Sequence, residues 1–156
     1  MDSYVDAHKY VAGKRAVVFG EPDLVVALAA FLSEIGIRPV ICASGSKGRE
    51  WKKLLEAEVE GGTADVEVLA GADHAMIGER ARELRPDLLV GSSKGYPLAR
   101  ELGVPLVRLG FPIHDRIGAQ RMLSVGYRGT QEVFDRVVNA LLEARQDESK
   151  TGYSYL

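Results

Sequence analysis

The chain has 156 residues, 46% of them hydrophobic and 27% charged, with 20 basic against 22 acidic side chains and a formal net charge of -2. That length suits one domain that buries roughly 68–70% of its unfolded surface without help from disulfides or metals. The charge balance excludes a general nucleic-acid binder, and no apolar stretch reaches the roughly 18 residues of a membrane span.

The chain opens almost directly in a helix, since Tyr4, Ala7, His8 and Val11 lie at helical spacing ahead of Gly13. This suggests a domain cut from a longer polypeptide, with Met1 as an added start. There is no apolar core of a signal peptide at this end. Residues 16–19 then form the first of five short Val/Ile/Leu-rich runs, the others being 39–43, 66–69, 87–90 and 105–109. None alternates cleanly with polar residues, which is the pattern of parallel strands covered on both faces. Cys42 lies in the second run and reads as a small buried core residue. A lone thiol makes no internal disulfide and by itself holds no cluster or structural zinc, so the chain reads as coming from a reducing compartment, the cytoplasm.

Helices fall between the strands. Residues 23–35 start at Pro22-Asp23 and close at Gly36; 49–59 carry Trp51, Leu54, Leu55 and Val59 at helical spacing. Residues 73–84 and a short 97–102 segment ending at Gly103 follow. The last helix, 130–145, presents Val133, Phe134, Val137, Val138, Leu141 and Leu142 as one stripe. The fold class is therefore α/β: a doubly wound, mainly parallel five-stranded sheet with helices on both faces, Rossmann-like or flavodoxin-like, in the order third, second, first, fourth, fifth strand. One domain over 1–145 is expected, followed by a polar then aromatic tail over 146–156 that is disordered or docks through Tyr153 and Tyr155.

Ligands in such a sheet gather beyond the carboxyl ends of the strands. The first loop, Gly20-Glu21-Pro22-Asp23, lacks the G-x-G-x-x-G fingerprint, and Asp23 reads as a helix cap ahead of a catalytic acid. Ser44-Gly45-Ser46-Lys47-Gly48 lacks P-loop spacing and reads as a flexible loop. In Ser92-Ser93-Lys94-Gly95, backbone amides and Lys94 could receive an anion, but capping and turn formation explain the same residues. The densest cluster is Gly110-Phe111-Pro112-Ile113-His114-Asp115-Arg116. His114 and Asp115 are adjacent and point apart, with no Ser or Cys nucleophile placed to complete a triad. A structural role is favoured, with Asp115 accepting backbone amides and Arg116 satisfying carbonyls or an acid. The histidines His8, His74 and His114 show no metal-ligand spacing.

Taken together, three stretches resemble the last domain of nitrogenase component 1 proteins. They are Gly13-Lys14-Arg15-Ala16-Val17-Val18-Phe19-Gly20-Glu21-Pro22-Asp23-Leu24-Val25, Arg85-Pro86-Asp87-Leu88-Leu89-Val90-Gly91-Ser92-Ser93-Lys94-Gly95, and Pro105-Leu106-Val107-Arg108-Leu109-Gly110-Phe111-Pro112-Ile113-His114-Asp115-Arg116, running on into Gly126-Tyr127-Arg128-Gly129 and Asn139. The resemblance implies a third α/β domain of a β-type subunit, whose earlier domains carry most cluster-binding cysteines. It implies an α-type subunit as partner and an ATP-dependent iron protein as electron donor to the full complex. That complex would hold iron–sulfur clusters and the iron-molybdenum cofactor or its precursor. In α-type chains of the family a histidine after the last strand ligates the cofactor; here Leu109-Gly110-Phe111 stands in that place, so no metal ligand is carried over. Gly118-Ala119-Gln120-Arg121 and the ending Gly152-Tyr153-Ser154-Tyr155-Leu156 favour the cofactor-scaffold subunit, with the catalytic β subunit or a related tetrapyrrole reductase as the alternative. The interface candidates are then Asp23, Ser92, Ser93, Lys94, His114, Asp115, Arg116 and Arg121, in a domain that is not itself catalytic. Two rivals stay open: a free-standing binder of a phosphate-bearing small molecule at the Ser92 and His114 loops, and an enzyme using His114 as general acid or base.

Overall fold

A computed structural model describes residues 2–48, 50–59 and 61–150, with side chains from residue 5 onward. The elements are α1 (Asp2–Val11), β1 (Arg15–Phe19), α2 (Pro22–Glu34), β2 (Arg38–Ser44), α3 (Glu50–Glu58), β3 (Glu67–Ala70), α4 (His74–Leu84), β4 (Leu88–Gly91), α5 (Tyr96–Leu102), β5 (Leu106–Arg108) and α6 (Gly126–Glu148). The five strands form one sheet in the order β3-β2-β1-β4-β5, and every pairing is parallel. The strand order expected from the alternation of runs and helices is the one observed. The 151–156 end, with Tyr153 and Tyr155, and the side chain of Tyr4 lie outside the described residues.

Period-two alternation divides the central strands between two cores. Ala16 and Val18 of β1 and Leu88 and Val90 of β4 join a larger core with α1, α2, α3 and α6. Val17, Phe19 and Leu89 point the other way, into a smaller core with Ile77 and Ala81 of α4 and Ala99 of α5. Both faces being covered explains why the strands read as continuous apolar runs. Trp51, Phe134, Val137 and Leu141 are buried in the larger core, as their helical spacing indicated. Cys42 is buried there too, and burial pushes its thiol pKa up to about 12.

Several boundaries differ from the sequence reading. Asp87 stands just before β4 instead of opening it, because its carboxylate is used: it accepts the Arg15 amide at 2.7 Å and pairs with Lys14 at 3.2 Å, pinning β1 beside β4. Asp23 is not a cap. Glu21 holds that position without a side-chain bond, and Pro22 occupies the first turn, where its missing N–H costs nothing. Asp23 instead places a negative charge in the first turn of α2, where it complements the helix dipole. At the start of α4 Asp73 does cap, accepting from the Met76 amide at 2.8 Å. The last helix begins at Gly126, four residues ahead of the expected start, and continues through residues 146–148. Glycine has a low helix propensity, yet Gly129 has a packing job: an added Cβ would lie 2.6 Å from the Ser124 carbonyl carbon. Only a glycine lets the first turn of α6 rest on the chain that leads into it.

One more close approach sets the height of the β4 exit. The Phe19 ring lies against Gly91 and Gly95, where a Cβ would come within 2.6 and 2.4 Å of ring carbons.

Candidate functional site at the carboxyl end of the sheet

The loop between β5 and α6 is tied down by a partly buried network. Arg108 is the last residue of β5 and its side chain is 9% exposed. Strand alternation among apolar neighbours carries its guanidinium inward, toward the β4 exit. There Nε lies 2.9 and 3.0 Å from the two carboxylate oxygens of Asp115, and Nη2 donates at 2.7 Å. The hydroxyl of buried Ser93 also donates to Asp115, and accepts the His114 amide at 3.3 Å. The Ser93 amide donates to the Pro112 carbonyl at 3.0 Å. Arg108 further lies 5.4 Å from the Tyr96 ring centroid, a cation–π contact. The Arg108 guanidinium foremost, then the Ser93 hydroxyl, hold the Asp115 carboxyl well below the usual carboxylate range.

The backbone path fits this latch. Gly110 turns the chain at φ +78°, and a Cβ there would sit 2.5 Å from Leu24 Cδ2. The Phe111-Pro112 peptide is cis. Gly118 takes φ +78° and starts a 3-10 turn over Ala119–Arg121, with Arg121 folded across it.

The structure redistributes the expected roles. Asp115 is the hub of the loop, but its partners are Arg108 and Ser93, not backbone amides. A carboxylate beside a nearly buried guanidinium forms the stronger, two-pronged bond in preference. Arg116 stays on the outside, donating to the Asp115 carbonyl at 2.6 Å and standing 3.7 Å from its carboxylate. His114 is exposed and gives the network its backbone only. Ser92 is buried and heads the 3-10 turn over Ser93–Gly95 without a side-chain cap bond; Lys94 is exposed. Burial first, then the Lys94 charge, lowers the pKa of His74 across the loop. The amides of Ser93 and Gly95 already donate to Pro112 and Ser92 carbonyls, so neither is free to cradle a ligand anion. Asp23 stands apart from the latch and lines a cleft of about 490 Å3 between the start of α2, the end of β5 and α6. Arg121 also lies outside the latch.

Two residues of the site escaped the sequence reading. Arg108 was legible in one respect, as the single charge in the apolar run over 105–109. Arg136 carried no such signal. From α6 it donates Nη2 to the Arg108 carbonyl, while Nη1 is buried without a partner among the described residues, and desolvation lowers its pKa. Among the described residues no group of three or more His, Cys, Asp or Glu could hold a metal ion, and no helix is long and apolar enough to cross a membrane.

A model of the nitrogenase component 1 type oxidoreductases matches residues 1–142. The nitrogenase molybdenum-iron protein beta chain of Methanothermobacter marburgensis is 34% identical over 143 residues, covering 91% of this chain and 31% of that protein. The corresponding chain of Azotobacter vinelandii is 33% identical, with 96% and 30% covered. The vanadium-iron protein beta chain of Trichormus variabilis is 36% identical, with 90% and 32% covered. Among solved structures, nitrogenase Cp1 at pH 6.5 superposes with a TM-score of 0.92 at 29% identity, over 99% of this chain and 34% of that one. This chain thus spans about a third of the length of the relatives it matches.

Proposed function

The chain belongs to the nitrogenase component 1 type oxidoreductases, and from that premise we propose that it is an assembly domain of a β-like subunit. The observation that carries this reading is the near-complete superposition of the chain, 99% of its length at a TM-score of 0.92, on about a third of a component 1 chain. On this reading residues 1–145 are the third α/β domain of such a subunit and 146–156 its tail. Its work is to complete the subunit, shape the contact with an α-type partner, and help position clusters held elsewhere. The clusters are iron–sulfur centres and an iron-molybdenum cofactor or its precursor; electrons come from an ATP-dependent iron protein. The setting is the cytoplasm.

The latch supports an architectural role. Asp115 and Arg108 neutralise each other and Ser93 is spent on Asp115, so the polar groups nearest the strand ends are committed to holding a loop. Within this reading the domain serves a scaffold on which the cofactor matures, as Gly118-Ala119-Gln120-Arg121 favours. The second reading, a domain of the catalytic β subunit, draws on the relatives, which are molybdenum-iron and vanadium-iron protein beta chains.

The test is anaerobic purification of the chain alone and after co-expression with the α-type chain of a component 1 protein. The expected result is a metal-free single chain and a stable association with the α-type chain by native mass spectrometry. Stoichiometric iron on the isolated chain would overturn the architectural reading. Scaffold and catalytic readings separate on whether the assembled complex accumulates a cofactor precursor or reduces substrate.

A further inference from the structure

α2 and α3 pack side by side and leave one groove of about 530 Å3 between them. Each helix crosses between neighbouring parallel strands, so the two run in the same direction. One wall of the groove is the row Pro22, Val26, Ala30 of α2; the other is the row Glu50, Leu54, Glu58 of α3. Residues four apart stack into a ridge along a helix, and the trough between two such ridges is a shape that receives a ridge of a third helix. Ala27 and Ala30 keep the α2 side low, and Leu54 is 56% exposed beside buried Trp51. The charged lining is of one sign. Asp23 and Glu50 stand where the two helices start and Glu58 two turns further along α3, whereas Lys52 and Lys53 do not line the groove. Among the described residues none of these three carboxylates is in an ion pair.

We propose that this groove docks a basic amphipathic helix of a separate protein. Its apolar side chains, at i, i+4 spacing, seat between the two rows, and its Lys or Arg side chains stand beside Asp23, Glu50 and Glu58. The shape selects a helix, because an extended segment repeats every two residues and does not match rows spaced by four. Charge selects the partner, because a second copy of the same face would set carboxylates against carboxylates. A short groove with three ionised groups also differs from a permanent contact inside one subunit, which buries a broader and more apolar surface. The docking is therefore reversible: the apolar row supplies contact area and the carboxylates supply orientation. It goes beyond the assembly reading and does not depend on it.

The experiment titrates the whole 156-residue chain with a synthetic peptide of about 18 residues, long enough to form a helix, that carries Leu along one stripe and Lys elsewhere. A peptide with Glu in place of Lys, and one with the Leu and Lys order scrambled, are the controls. Trp51 is the one tryptophan, so its indole N–H gives a single NMR signal at the groove, read together with the amides of α2 and α3. The expected result is saturable shifts at Val26, Ala27, Ala30, Trp51 and Leu54 with the Lys peptide, weakening as salt rises, and none with either control. A Glu50→Lys, Glu58→Lys variant should lose affinity for the Lys peptide by about tenfold or more and gain the Glu peptide. If that reversal lowers the melting temperature, Glu50→Gln, Glu58→Gln takes its place and should also weaken the Lys peptide. Absence of saturable shifts, shifts centred elsewhere on the surface, equal binding of the scrambled peptide, or affinity indifferent to the charge variants overturns the proposal. Concentration-dependent self-association through α2 and α3 overturns it too, since a second copy would then be the occupant. None of these outcomes touches the assembly reading.

Discussion

Two phenylalanines of this chain make a matched test of the packing. Phe134 of α6 is 3% exposed and belongs to the larger core, whereas Phe111 is 87% exposed on the β5–α6 loop. Replacing a buried Phe by Ala removes its transfer free energy and leaves a cavity, together about 3–5 kcal/mol. For a chain of this length each kcal/mol lowers Tm by roughly 2–4 °C, so Phe134→Ala should melt about 6–20 °C lower. Phe111→Ala deletes the same atoms from a site already in water, and should stay within about 0.5 kcal/mol of the parent chain. Thermal unfolding by circular dichroism, with urea unfolding to check that the slope is unchanged, reads both variants. A Phe134→Ala protein that melts within 2 °C of the parent, or a Phe111→Ala protein that falls as far as Phe134→Ala, would refute the assignment of the α6 stripe to the core.

Asp115 sets a pH dependence. Its folded pKa lies below the unfolded value of about 3.9, so its contribution is fully present above pH 4 and is lost as pH falls toward the folded value. The gap in urea midpoint between the parent and Asp115→Asn should therefore be constant from pH 8 to 5 and narrow steadily below 4; a gap that does not narrow between pH 5 and 2.5 would contradict the latch. Cys42, with a thiol pushed up to about 12 and buried, should resist iodoacetamide at pH 8 until the chain is unfolded, so stoichiometric labelling of the native protein would place it wrongly. Gly129→Ala, which in an open helix would stabilise by about 1 kcal/mol, should instead destabilise by roughly 1–3 kcal/mol, because the new methyl meets the Ser124 backbone at 2.6 Å; a raised Tm counts against the close approach.

The layout of the sheet was readable because burial on both faces leaves a plain mark: β1 and β4 have no interior place for a charge. The latch was only half readable. Asp115 stood out, but its partners were sought among backbone amides, whereas the fold supplies Arg108 from seven residues earlier. Neighbours in a chain usually point apart, and only the return of the loop over the β4 exit brings Arg108, Ser93 and Asp115 together. That return depends on tertiary geometry that no local pattern records. The start of α6 was misplaced for a related reason. Gly126 and Gly129 weaken a helix on propensity alone, and the contact that requires Gly129 is made with Ser124, outside any helical repeat.

The Phe19 ring gives this arrangement a consequence for how the domain can vary. It is a core residue of β1, yet it sets the height of the Gly91 to Gly95 turn from which Ser93 reaches Asp115. The outer loop thus takes its position from the inside of the domain through a single spacer. A smaller ring would let the turn sink and draw Ser93 away; a side chain on either glycine would lift it. Surface and interior at this end of the molecule therefore cannot drift separately: a change in one of Phe19, Gly91 and Gly95 alters what the other two must be.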